Sequence, residues 1–146
     1  MIVKFLILGL LLIGSSFTMA QVSVTEIRVN APVPGQSISG GYMLIRNEGN
    51  QDVRLLAVKS ASATRVEMHT HVMNNGMMGM QEIQAVNIPA GETVSFVEGG
   101  HHLMIFDPAT EAIAVGEFSL TFEFSDGSAL SESAVVTQLV KPEHQH

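Results

Sequence analysis

From residue 21 onward the chain alternates short apolar runs with clusters of turn-forming residues. In "FSLTFEF", Phe118, Leu120, Phe122 and Phe124 fall on one side of an extended chain, and Ser119, Thr121 and Glu123 on the other. A period of two marks a strand with one buried face in an antiparallel sheet. Similar segments are "VSVTEIRV", "GGYMLIRN", "VRLLAVKS", "TRVEMH", "ETVSFVE", "HHLMIF" and "ESAVVTQLV". Between them lie "APVPG", "NEGNQD", "NNG", "PAGE", "EGG", "DPAT" and "SDGS", all rich in Gly, Pro, Asn and Asp. No long window follows a helical period, and only "PATEAIA" offers a helical turn. Some eight strands at this spacing predict an all-β, Greek-key β-sandwich in a single domain, with no internal repeat and no linker.

The first twenty residues break the pattern. Lys4 gives a short positive start, "FLILGLLLIG" is an apolar run too short to span a bilayer comfortably, and "SSFTMA" supplies small residues before a cut after Ala20. This reads as a signal peptide over residues 1–20; a membrane anchor or a buried N-terminal helix is the competing reading. The domain is then expected over residues 21–140 in an exported compartment, with "KPEHQH" at 141–146 as a frayed tail. No Cys follows the apolar run, which argues against a lipid anchor.

Composition narrows the chemistry. The chain has no cysteine, so an exported domain must stand on its core alone, and thiolate nucleophiles, redox CxxC pairs and Cys-ligated metals are excluded. Residues 21–146 hold six basic and fourteen acidic residues, a formal charge of −8. That argues against nucleic acid or anionic lipid as a partner. Membrane insertion of the mature chain is not expected.

The histidines and methionines depart from this plain picture. The six histidines fall in three pairs: His69 and His71, His101 and His102, His144 and His146. Five methionines, Met68, Met73, Met77, Met78 and Met80, fall within thirteen residues, and Met104 follows. Methionine usually fills core gaps singly, and "NNGMMGM" has no evident core to fill. On a strand His102 and Met104 share a face, with His101 and Leu103 on the other. His69 and His71 share a face if "TRVEMHTH" is extended, leaving Val66 and Met68 to face inward. The segment "MNNGMMGM" reads as a hairpin-like connection that could fold Met80 back towards His69. Met43, Met68 and His101 fit structural roles. His71, Met73, Met77 and Met78 remain open as auxiliary ligands or as a path for an arriving ion, and His144 and His146 read as solvated.

Imidazole with thioether selects a metal. Thioethers are neutral and soft, poor ligands for Zn²⁺, Mg²⁺ or Ca²⁺ but suited to Cu(I), which also accepts imidazole. Carboxylates for a hard ion are limited here to Glu67 and Glu82. A blue-copper site and a dinuclear copper centre both need Cys. What remains is a site that holds copper without a thiolate.

These residues resemble the periplasmic copper chaperones of the PCu(A)C family, whose signature is a His, ten residues, a Met, twenty-one residues, then His-x-Met. His69, Met80, His102 and Met104 match that spacing. "VEMHTH", "IPAGETVSFVEGGHHLM" and "YMLIRNEG" also look similar, so the resemblance covers about residues 22–136. It implies a cupredoxin-like β-sandwich and a Cu(I) site formed by His69, Met80, His102 and Met104. Three features depart from the family. His101 stands where an aromatic commonly precedes the second His, Trp is absent, and the His- and Met-rich C-terminal extension is reduced to "EHQH". These departures put a tail-based Cu(II) site in doubt.

The resemblance implies a non-enzymatic, monomeric Cu(I) metallochaperone in the periplasm. Its expected acceptor is the dinuclear copper centre of a cytochrome oxidase subunit, with a thioredoxin-like assembly protein as a further partner. A copper storage or resistance protein that only buffers Cu(I) is the alternative. A structural β-sandwich with incidental Met is a third reading.

Overall fold

Each of the eight alternating segments forms the body of a strand in the computed structural model, which describes residues 21–138. The expected signal peptide, the tail at 141–146 and its His144 and His146 lie outside the described residues. In chain order the strands are β1 (Val22–Asn30), β2 (Ile38–Asn47), β3 (Val53–Lys59), β4 (Arg65–Asn74), β5 (Met77–Glu82), β6 (Val86–Ile88), β7 (Thr93–Phe96), β8 (His102–Phe106), β9 (Glu117–Phe124) and β10 (Ala129–Thr137). A short helix, α1 (Thr110–Val115), occupies "PATEAIA" and ends on Gly116 in the left-handed conformation. Strands β5 and β6 were not among the eight expected.

Pairing runs β5-β4-β8-β2-β1-β10-β9-β3-β6, with β7 continuing beside β2 where β8 leaves off. Every pairing is antiparallel except β1 with β10. The order folds back on itself so that β3 packs near β4, which closes the two layers of an all-β sandwich. A bulge between Thr25 and Arg28, with Glu26 at φ 52°, turns β1 at the corner where β10 joins it.

The core lies between the layers, and its side chains come from alternate positions. Phe118, Leu120, Phe122 and Phe124 are buried from β9, Met43 and Ile45 from β2, Leu103 and Ile105 from β8. Met43 and Met68 are thus core residues. Asn47 is fully buried and fully used. Its Nδ2 donates to the carbonyls of Ile88 (3.0 Å) and Gln51 (2.7 Å), and its Oδ1 accepts from the Gly49 amide (2.9 Å). A buried amide so satisfied ties the end of β2 to β6.

Candidate metal centre

The period of two that sends Met68, Leu103 and Ile105 into the core sends their neighbours outward. Cross-strand partners in an antiparallel pair share a face. His69 of β4 lies opposite His102 of β8, and Glu67 lies opposite Met104. On the other side of β4, His71 lies opposite Met80 and His69 opposite Glu82. All four residues of the His-Met spacing therefore stand on one outer face of the β5-β4-β8 layer. His71 joins them.

The turn sets this register. Asn75 (φ 50°) and Gly76 (φ 78°) form a two-residue loop with both residues left-handed, the pairing that matches strand twist in a tight hairpin. Asn74 is thereby paired with Met77, and counting back brings Met80 to His71 rather than to His69. Met80 does fold back towards His69, but as its diagonal neighbour, two residues along β4 from its direct partner His71 and within reach of a long side chain. The hairpin-like connection expected at "NNGMMGM" is a tight turn followed by strand β5.

Three aromatic contacts locate the rings. The His69 and His102 ring centroids are 6.0 Å apart, and those of His71 and His102 5.3 Å apart. His101 turns the other way, its ring 5.5 Å from that of buried Phe96, and its Nδ1 is also buried without a hydrogen-bond partner.

Each of the paired imidazoles is oriented by a bond at one nitrogen. His102 is buried, and its Nδ1–H donates to the Gly100 carbonyl at 3.0 Å. The tight turn at 97–100, with Gly99 at φ 80°, presents that carbonyl. A neutral ring that donates from Nδ1 keeps its lone pair at Nε2. His69 Nε2–H donates to Glu67 Oε2 at 2.9 Å, so its lone pair is at Nδ1. That Nδ1 is buried with no hydrogen-bond partner. A buried bare lone pair is costly unless something accepts it, and a metal ion is such an acceptor. Outer-sphere hydrogen bonds of this kind set the tautomer and orientation of ligating imidazoles.

Glu67 is itself held in place. Arg65 Nε donates to its other oxygen at 2.7 Å, and the Arg65 guanidinium lies 3.8 Å from the Phe106 ring centre. The hydrogen bond from His69, and next that from Arg65, hold the Glu67 carboxyl below its ordinary value. On the β2 side, Tyr42, Glu98 and Gly99 complete the wall of a cavity of about 220 Å³ with His71, Met80 and His102. Burial, then the Glu98 carboxylate, push the Tyr42 phenol up, against Arg28, whose guanidinium lies 4.9 Å from the ring centre. Gly40, paired with Met104, leaves room for that ring: a Cβ there would come within 2.8 Å of the Tyr42 hydroxyl.

Among the described residues, no three His, Asp or Glu side chains are grouped to hold a metal. A larger cleft of about 460 Å³ between β3 and β4 offers Lys59, Arg65 and Glu82 but no imidazole. Glu67, Tyr42, Glu98 and Gly40 escaped the sequence reading as parts of the site. Only the Asn75-Gly76 turn signal could have given the hairpin register beforehand.

The fold is that of PCuAC domains. Residues 22–136 match the family described as "Putative lipoprotein LpqE-like", and the chain belongs to that family. It is similar to a putative lipoprotein, Lxx21020, of Leifsonia xyli subsp. xyli, 30% identical over 95 residues, which are 64% of this chain and 57% of that protein. The chain thus spans little more than half the length of this curated relative. Among solved structures, the copper-bound PCuAC domain of PmoF2 superposes with a TM-score of 0.69 at 21% identity, covering 84% of this chain and 97% of that domain. Apo-DR1885 of Deinococcus radiodurans superposes at 0.62 with 26% identity, covering 84% and 83%. The Cu(I) form of DR1885 superposes at 0.60 with 24% identity, covering 88% and 84%.

Proposed function

We propose that this chain is an exported, non-enzymatic Cu(I) chaperone that holds one copper ion with His69, Met80, His102 and Met104. The observation that carries the reading is the cross-strand pair His69–His102. Each ring is fixed through one nitrogen and keeps a bare lone pair on the other, buried and unpartnered at His69 Nδ1. Met104 stands two residues from His102 on the same face, and Met80 sits diagonally across from His69. Two neutral imidazoles and two neutral thioethers leave bound Cu(I) at a net charge of +1, and the donor set favours that ion over hard cations. The likeness to copper-bound PCuAC domains supports the same reading.

Delivery follows from the donors. Thiolates are charged and soft, so a dicysteine acceptor draws Cu(I) away from a site of neutral ligands. The acceptor we favour is the dinuclear copper centre of a periplasmic cytochrome oxidase subunit, with a thioredoxin-like protein keeping its cysteines reduced. Met80, the exposed ligand on this outer sheet face, lets an incoming thiolate bind before the less exposed ligands leave. The chain acts as a monomer in the periplasm after removal of residues 1–20.

The test mixes the copper-loaded protein with a reduced, copper-free oxidase subunit II domain and measures copper in each after separation. Copper on the acceptor supports the chaperone. Copper retained against an excess of acceptor supports the storage reading instead.

A further inference from the structure

We propose that this sheet face offers Cu(I) two alternative positions that share His102 and Met80: an inner one completed by His69 and Met104, and an outer one completed by His71. The inference rests on the copper reading above and adds a ligand to it. His71, not His69, lies directly opposite Met80, and its ring is nearer that of His102, 5.3 Å against 6.0 Å between centroids. His71, Met80 and His102 together wall the cavity of about 220 Å³, whereas His69 and Met104 are not part of that wall. Glu98 in the same wall supplies a carboxylate that attracts a cation.

The two positions differ in what surrounds them. His69 is clamped by Glu67 and has a buried lone pair, while Met80 is 55% exposed and His71 half-buried. The inner position has four donors and the outer three, so the inner holds the ion more tightly. His69 and His71 are two residues apart on β4, about 7 Å along an extended strand. The ion passes outward by exchanging His69 for His71 and releasing Met104, and inward by the reverse, while His102 and Met80 stay bonded. Both positions draw on the same shared donors, so only one is filled at a time. The outer position is where copper arrives and where an acceptor's thiolate first reaches it.

The test uses the full chain and its H69A, H71A and H69A/H71A variants, titrated anaerobically with Cu(I) against a chromogenic chelator. H69A should keep one Cu(I), and H69A/H71A should bind at least about tenfold more weakly than H69A, the scale of losing a contributor to a metal site. H71A should hand its copper to the chelator about tenfold more slowly than the unaltered chain in stopped-flow mixing. Equal affinities of H69A and H69A/H71A, or unchanged transfer by H71A, would overturn the outer position. Should an alanine variant lose its circular dichroism, the comparison is made with H69Q and H71Q, which keep a polar side chain of similar reach. Failure of the unaltered chain to take up Cu(I) would overturn the copper reading itself.

Discussion

Two hairpins of this protein use apolar side chains in opposite ways. In β9–β10 the strand "EFSLTFEF" hides every second residue, and Phe118 and Phe122 are 0% exposed. In β4–β5 the strand "MMGMQE" hides nothing: Met77, Met78 and Met80 are 75, 66 and 55% exposed, and Met73 across from them 64%. The difference comes from place in the order of strands. β9 sits between β10 and β3 with the core beneath it, whereas β5 is the last strand beyond β4. Each large apolar side chain left in water forgoes roughly 1.5–3 kcal/mol that burial would supply. Four methionines stay outside along this hairpin, and packing in the core accounts for none of them; Met73, Met78 and Met80 share the face of His69 and His71.

The comparison breaks most readily on stability. Phe122→Ala should cost about 3–5 kcal/mol by leaving a cavity in the core, whereas Met78→Ala should stay within about 0.5 kcal/mol. Urea unfolding of both variants checks this, and a Met78 loss comparable to that of Phe122 would show that the hairpin packs against something.

A second pair of substitutions separates sulfur in the core from sulfur at the site. Met43→Ala, in the core at 1% exposure, should lower stability by about 2–5 kcal/mol and leave Cu(I) affinity of the folded chain unchanged. Met104→Ala should do the reverse and weaken Cu(I) by at least about tenfold. Competition against a Cu(I) chelator, with thermal unfolding alongside, reads both effects. Equal effects on affinity would place the metal on the other face of the sheet.

The smallest expected effect concerns the β9–β10 turn. Asp126 accepts from the Ser128 side chain (2.6 Å) and backbone amide (2.9 Å), and these bonds lower its pKa, the side-chain bond first. A lowered carboxyl stabilises the fold above its unfolded value and loses that contribution as pH falls through its folded value. Asp126→Asn should therefore be less stable than the natural chain at pH 7 by under about 1 kcal/mol, since the group is exposed. The gap should begin to narrow below pH ~4 and close only once pH has fallen through the lowered folded value. Denaturant titrations at the two pH values measure it.

Much of this was readable in the chain. Strand β9 was plain because one face is buried, so its sequence alternates. Strand β5 was hidden because both its faces meet solvent, and "MMGM" has no period of two. Strand β6 spans only Val86–Ile88, too short to show one. At the site, the residue types and the shared face of His102 and Met104 followed from local geometry. Which Met lies opposite which His did not, because that depends on a turn two residues long. A longer loop would have shifted every partner along β4. Glu67 was visible only as a spare carboxylate, since its bond to His69 becomes apparent only once β4 is extended.

Whether imidazole and thioether hold copper together is read by X-ray absorption on the anaerobically loaded protein. The expected result is one Cu(I) per chain with both nitrogen and sulfur in its nearest shell, and loss of the sulfur contribution on replacing Met80 and Met104 together. A nearest shell of nitrogen and oxygen alone would contradict it.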